Sequence, residues 1–225
     1  EDEDDWDEFA PQLVERYRWL RDNLAPRTMY VPGTGTGLTG LYASIGLQRF
    51  CEWTHDHDDL IGAVLRKRAE DGARWSEVAA RERLCPLFFI GEDIAYKDKL
   101  MFSPAWLRRH FVPALALSAE PLAKAGVKLI FHSDGNVMEI LDDLLDIGIA
   151  GLNPIEPLAG MDIGHLKRRY GDRLILVGNV DCSQALPLGS VQDVRAAVRE
   201  CVRAASKGGG HFIGSSSEVT PSTPL

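Results

Sequence analysis

The chain lacks any apolar run approaching the roughly 18 residues that would suggest a transmembrane helix. Its four cysteines, Cys51, Cys85, Cys182 and Cys201, form no C-x-x-C pair. That spacing argues against a disulfide framework or an all-cysteine zinc knot, and predicts free thiols in a reducing, cytoplasmic setting. Positive charge is also scarce: 25 Lys and Arg face 33 Asp and Glu, for a net charge of −8. With no dense Lys/Arg cluster to offset it, a nucleic-acid surface is not indicated. No G-x-S-x-G occurs, which argues against a hydrolase nucleophile elbow. The N-terminus is acidic rather than basic-then-apolar, so it does not read as a signal peptide. Its opening run, "EDEDDWDE" (residues 1–8), reads as a solvated, frayed end.

What is present is an ordinary globular composition, 45% hydrophobic over 225 residues, enough to bury a core. Leu13, Tyr17 and Leu20 recur at helical spacing, predicting a helix over 8–24. "TMYV" (28–31) is a short strand candidate before the glycine-rich "PGTGTGLTG", and 58–70 reads as a charged helix. A regular rhythm follows, with strands predicted at 86–91, 127–132, 149–155, 173–180 and 211–217. Helices are predicted between them at 103–126, 137–148, 162–171 and 190–209. Ser-Pro at 103–104, the S-x-x-D box from Ser190 and glycine stops mark helix ends, and Pro113 should kink or break its helix. This alternation predicts an α/β protein with a parallel sheet. Each later strand ends in a polar cluster: "GED", "HSDG", "NPIEP", "GNVDC", "GSSSE". A (β/α)8 TIM barrel gathers all its strand ends on one face, whereas a doubly wound sheet concentrates ligand contacts at one switch point. The chain is therefore expected to be a single barrel domain over residues 1–225, truncated at both ends because about six strands fall short of eight.

The polar clusters carry the candidate chemistry. "GTGTGLTG" contains a formal G-x-G-x-x-G, but "FCEWTHDHDD" does not supply the second strand a dinucleotide site requires. The glycines read instead as a loop approached closely by a ligand or a neighbouring strand. "WTHDHDD" (53–59), with His55 and His57, reads as a solvated loop rather than a metal chelate. Glu92 and Asp93 could hold cationic groups, act as acid and base, or form a structural salt bridge. Asn153, Glu156, Asn179 and Asp181 either face a ligand or satisfy turn backbone, as Asn and Asp routinely do. Ser215 to Ser217 and Glu218 form the last cluster, and His132, Ser133 and Asp134 the central one.

Four segments in order, "GEDIAYKDKLMFSPAWLRRHFVPAL", "HSDGNVMEILDDLLDIGIAGLNPIEP", "YGDRLILVGNVDC" and "GGGHFIGSSSEVTPSTPL", resemble the uroporphyrinogen decarboxylase superfamily. That group also contains methyltransferases that move a methyl group between a corrinoid and a thiol, and the "HSDG" turn and "TPSTPL" ending are closer to that branch. The resemblance implies a (β/α)8 barrel. It also implies a zinc site built, in the thiol methyltransferases, from a His-x-Cys-Gly turn and a late Cys. His132 and Gly135 match that turn, Asp134 stands at its Cys, and Ser217 stands at the late Cys. Zinc or another divalent metal would then rest on His132 and Asp134 with a third group such as Glu156 or Asp181; without metal, His132 would be a general acid or base. The implied function is methyl transfer between a corrinoid, on a partner protein, and a small acceptor or donor. In that reading His132 and Asp134 are catalytic. Asp93, Glu92, Glu156, Asn153, Asn179, Asp181 and Ser217 line the pocket, and Tyr42 resembles a tyrosine of the decarboxylase site. The alternatives are tetrapyrrole decarboxylation in porphyrin biosynthesis, or a non-catalytic small-molecule or corrinoid-binding barrel. A homodimer is a further implication of the resemblance.

Overall fold

The structure is a computed structural model that describes residues 4–24 and 27–224. In chain order its first elements are α1 (Asp4–Leu24), β1 (Gly33–Thr34), α2 (Leu38–Ile45), α3 (Leu47–Asp56), α4 (Asp58–Arg81) and β2 (Leu87–Gly91). A short hairpin follows, β3 (Ala95–Tyr96) and β4 (Lys99–Leu100), then α5 (Pro104–Trp106), a π-turn (Leu107–Phe111) and α6 (Val112–Lys124). The rest is β5 (Lys128–His132), α7 (Leu141–Asp146), β6 (Ile149–Asn153), α8 (Ile163–Tyr170), β7 (Ile175–Val177), α9 (Ala185–Leu188), α10 (Val191–Ala205) and β8 (His211–Phe212). Two compact units interleave along the chain. One comprises Glu1–Gly91, Trp106–Leu129 and Asp146–Gly148; the other comprises Glu92–Ala105, Ile130–Leu145 and Ile149–Leu225.

In the first unit β1 runs parallel to β2, pairing Gly33 with Phe89 and Thr34 with Ile90. The strand predicted over "TMYV" is thus replaced by a two-residue strand on the glycines. A Cβ on Gly33 would sit 3.4 Å from the Phe89 carbonyl oxygen, an ordinary contact, so it is backbone pairing with Phe89 and Ile90 that places the strand here. The same loop meets α4, where a Cβ on Gly72 would lie 2.7 Å from the Gly35 carbonyl oxygen. The glycine-rich stretch is therefore a close-approach loop. Helices α4 and α6 pack together, with Leu65 and Ala69 of one and Leu115, Ala119 and Leu122 of the other fully buried, and Ser118 Oγ donating to the Ala69 carbonyl at 3.1 Å. Each fully buried leucine contributes about 1.5–3 kcal/mol of burial.

"WTHDHDD" is not a loop: Trp53 to Asp56 close α3, whose Phe50 is buried edge-on to Tyr42 and Trp106. A helix with one narrow apolar face is otherwise polar, and this one reads like a loop because of it. Asp58 begins α4, as expected, and accepts from Trp106 Nε1 at 3.0 Å beside the guanidinium of Arg109 at 2.7 Å. Pro113 does not break its helix. The π-turn over Leu107–Phe111 ends just before it, and α6 starts at Val112 with proline in its first turn, where no N–H is needed. Of the acidic opening run, residues 1–3 lie outside the described residues, and from Asp4 the chain is helical.

In the second unit β6 pairs parallel with β7, and β7 with β8. A Cβ on Gly151 of β6 would lie 2.9 Å from Ile130 and 3.2 Å from Ile175, so glycine sets how closely the strands pack. Phe131, Leu152 and Leu176 are fully buried, as are Ile140 just before α7 and Leu141 and Leu144 within it. Helix α10 opens on the predicted capping box of Ser190 and Asp193 but stops at Ala205, and Gly208, Gly209 and Gly210, all at positive φ, lead to β8. Among the described residues no helix is long and apolar enough to cross a membrane.

Candidate functional site

The site is built in the second unit from the segments that follow β2, β5, β6 and β8. Strand β5 delivers His132, and its turn continues as Ser133, Asp134 and Gly135. Ser133, fully buried, ties this turn down: its Oγ accepts from the Ile94 N–H at 3.1 Å and donates to the Asp134 carbonyl at 2.8 Å. Its own N–H donates to the Asn153 carbonyl at 3.0 Å, and the Glu92 N–H donates to the His132 carbonyl at 2.9 Å. The hairpin of β3 and β4 closes over the turn, with the Asn136 N–H donating to the Lys97 carbonyl at 2.8 Å.

The side chains converge from there. Asp93, His132 and Asp134 each offer a ligand atom, all within 4.8 Å of one another. His132 Nδ1 lies 2.7 Å from Asn153 Oδ1, and Nε2 lies 3.8 Å from Asp93 Oδ1. Asp93 Oδ1 also accepts from the Asp134 N–H at 3.0 Å. Ser217 Oγ donates to Asp134 Oδ1 at 3.3 Å, and Glu156 Oε2 accepts from the Gly135 N–H at 2.7 Å. Burial holds the Asp134 carboxyl above its ordinary range and the Asp93 charge adds to this, while His132 and Ser217 partly offset it. Burial likewise raises Glu156; the Gly135 N–H opposes the rise, and the charges of Asp134 and Asp93 add to it.

A carboxyl raised in the fold contributes stability that is present below its unfolded pKa and lost as pH rises through its folded one. Glu156→Gln keeps an oxygen to accept from Gly135 while removing the charge. Its melting temperature is expected to exceed the wild type's by roughly 1–3 °C near neutral pH, with the difference vanishing at about pH 4. Equal melting temperatures at both pH values would refute this account.

The structure thus brings together Asp93, His132, Asp134, Asn153, Glu156 and Ser217. Other candidates are engaged elsewhere. Asp181 accepts from the N–H groups of Ser183, Gln184 and Ala185 at 2.9–3.0 Å, the work of a turn leading into α9. Asn179 Nδ2 donates to the Ile155 carbonyl at 2.6 Å and its Oδ1 faces Cys201 Sγ at 3.7 Å. Glu92 is 2% exposed. Tyr42 belongs to the first unit, on α2. The third potential metal donor is Asp93, because a carboxylate oxygen of it lies within 4.8 Å of donor atoms of both His132 and Asp134. Ser133 lies in the central polar cluster of the sequence, but its bracing of the turn has no sequence signal beyond a small hydroxyl between two candidate ligands at a strand end.

Parallel strands alternating with helices, with side chains from several strand ends converging, define the (β/α)-barrel class. The chain belongs to the uroporphyrinogen decarboxylase family, whose description, Uroporphyrinogen decarboxylase (URO-D), matches residues 1–225. A methylcobamide:CoM methyltransferase MtaA of Methanosarcina barkeri is 25% identical over 215 residues, 96% of this chain and 60% of that protein. A uroporphyrinogen decarboxylase of Coxiella burnetii is 34% identical over 64 residues, 28% of this chain and 17% of that protein. The solved structure of a methyltransferase from Methanosarcina mazei matches with a TM-score of 0.74 at 24% identity, covering 95% of this chain and 60% of that one. This last likeness shows the barrel-type fold. The chain spans about 60% of the length of the methyltransferases it matches.

Proposed function

We propose that this protein catalyses methyl transfer between a corrinoid, carried by a partner protein, and a small-molecule acceptor or donor. The grouping of Asp93, His132 and Asp134 within 4.8 Å carries the reading, because it sets one imidazole and two carboxylates where a substrate heteroatom can be oriented and its proton taken. The likeness to the methylcobamide:CoM methyltransferase runs through nearly the whole chain, which favours this branch over the decarboxylase, matched over 64 residues.

The donor set fits a divalent metal: one imidazole nitrogen and two carboxylate oxygens form a three-ligand set that leaves coordination positions open. It is harder than a thiolate set and so suits zinc less well than His/Cys/Cys would. A metal held there would supply Lewis-acid activation of the substrate heteroatom. The protein's own contribution is positional. Asn153 holds the imidazole, Ser217 and Asp93 hold Asp134 and its backbone, and Glu156 braces the turn at Gly135.

The test is to mix the purified full-length protein with methylcobalamin and a panel of small thiols and amines, following the corrinoid absorption spectrum. Loss of the methylcobalamin bands with at least one acceptor is expected. An unchanged spectrum with all of them, together with release of carbon dioxide from uroporphyrinogen, would replace this reading with the decarboxylase one.

A further inference from the structure

We infer that Ser133 is a positioning residue for Asp93: its hydroxyl stands inside the hydrogen-bond ladder at the site and holds the Asp93 segment in register with Asp134. Residues 92–94 and 132–134 run in the same direction, and the Glu92 N–H donates to the His132 carbonyl at 2.9 Å. In a parallel ladder the Ile94 N–H would next reach the Asp134 carbonyl, two residues on along both segments. Here the Ser133 hydroxyl occupies that rung. It accepts from the Ile94 N–H at 3.1 Å and donates to the Asp134 carbonyl at 2.8 Å. An inserted hydroxyl takes more room than a direct bond, so the segments are wedged apart where the Asp93 side chain enters. That carboxylate completes the arrangement, with Oδ1 accepting from the Asp134 N–H at 3.0 Å.

Serine suits the rung because a hydroxyl accepts and donates at once. Ser133 and Ile94 are both fully buried, so removing the hydroxyl strands the Ile94 N–H where water does not replace the lost acceptor. The N–H groups on both sides of Asp93, those of Glu92 and Ile94, are bonded to the turn, which fixes the backbone from which the Asp93 carboxylate leaves. A second serine uses the same device. The Ser216 N–H donates to the Val180 carbonyl at 2.7 Å, and the Cys182 N–H, two residues on, donates to Ser216 Oγ at 3.2 Å. Ser216 is buried too, and its neighbour Ser217 reaches Asp134. Each buried serine thus carries a ladder one rung past its strand, beside a residue that belongs to the site. The effect of Ser133 on turnover rests on the proposed methyl transfer; the register of the two segments does not.

The experiment is amide hydrogen exchange by NMR on the metal-free full-length protein, wild type beside Ser133→Ala. Ser133→Cys, which fills the space with a weakly hydrogen-bonding sulfur, serves the same purpose if the alanine variant does not fold. Protection of the Ile94 amide is expected to fall about tenfold or more, the loss of one good hydrogen bond. Protection of the Asp134 amide is expected to fall as well. The hydroxyl bonds the Asp134 carbonyl and not its N–H, whose acceptor is the Asp93 carboxylate, so this amide reports where Asp93 sits. The amide of position 133, paired with the Asn153 carbonyl, is expected to stay within about twofold of wild type. Unchanged protection at Ile94 or at Asp134 overturns the inference. An equal loss at all three amides, the mark of a merely structural serine, overturns it too. In methyl transfer, Ser133→Ala is expected to lower kcat about tenfold alone and less than about twofold beside Asp93→Asn, because both changes act through one carboxylate. Equal factors in the two backgrounds count against the positioning role. If protection changes as expected and the wild type transfers no methyl group, the inference stands and the proposed function falls.

Discussion

His132→Ala is expected to lower kcat/KM for methyl transfer by about 10²–10⁴-fold, the range typical of removing a general base. The imidazole is the one nitrogen base in a group otherwise made of carboxylates, and it supplies the nitrogen of any metal set at Asp93, His132 and Asp134. Stability should be spared. The side chain is about one-third exposed, with a relative accessibility of 31%, and the backbone bonds that fix the turn come from Glu92, Ser133 and Asn153. The expected signature is therefore a collapsed rate with a melting temperature within ~2 °C of the wild type. The comparison is steady-state kinetics beside a thermal melt. Activity within about tenfold of wild type would remove His132 from the proposed catalytic machinery.

The second large effect is on folding. Gly135 has φ +77°, and a Cβ built there would lie 2.7 Å from the Ala95 carbonyl carbon and the Tyr96 nitrogen, both backbone atoms that cannot swing aside. Alanine would pay about 1–2 kcal/mol for the left-handed conformation. Forcing the hairpin of β3 and β4 away adds about 1–3 kcal/mol of overpacking. The sum, about 2–5 kcal/mol, corresponds to a fall of roughly 5–15 °C in melting temperature for a chain of this size. The same shift would pull the Gly135 N–H from Glu156, so activity should fall with stability. A Gly135→Ala protein that melts with the wild type would show that the hairpin does not sit on the turn as described.

Much of the fold was legible because the signals are local. The strand beginning at Leu87 and the strand delivering His132 are apolar runs bounded by proline, glycine and polar residues, and Ser190 with Asp193 announces α10 three residues ahead. Such signals depend on neighbours within a turn or two of chain. They failed where a partner from elsewhere decided the outcome. Gly33 and Thr34 form the strand in place of "TMYV" because they are the residues that meet Phe89 and Ile90 of β2 in register. Trp53 to Asp56 became helical because Phe50, one turn earlier, found a pocket against Tyr42 and Trp106. Pro113 was tolerated because the π-turn before it rearranged the hydrogen-bond ladder the ring would have interrupted.

The site divides along the same line. Sequence alone determined that polar clusters follow successive strands, and it identified His132 and Asp134 at the end of one of them, with Ser217 at the end of another. A strand's last apolar residue is followed by whatever it delivers, and that is written in the chain. Tertiary structure alone decided how those residues are used. Asp93 is 39 positions from His132, yet it joins His132 and Asp134 within 4.8 Å, while Asp181 turns back to cap its own segment. Asn153 and His132 are 21 positions apart and meet at 2.7 Å. Asn and Asp serve a turn or a ligand with the same atoms, and composition does not distinguish the two. Only the distance to the next strand's donors and acceptors does, and strand pairing sets that distance.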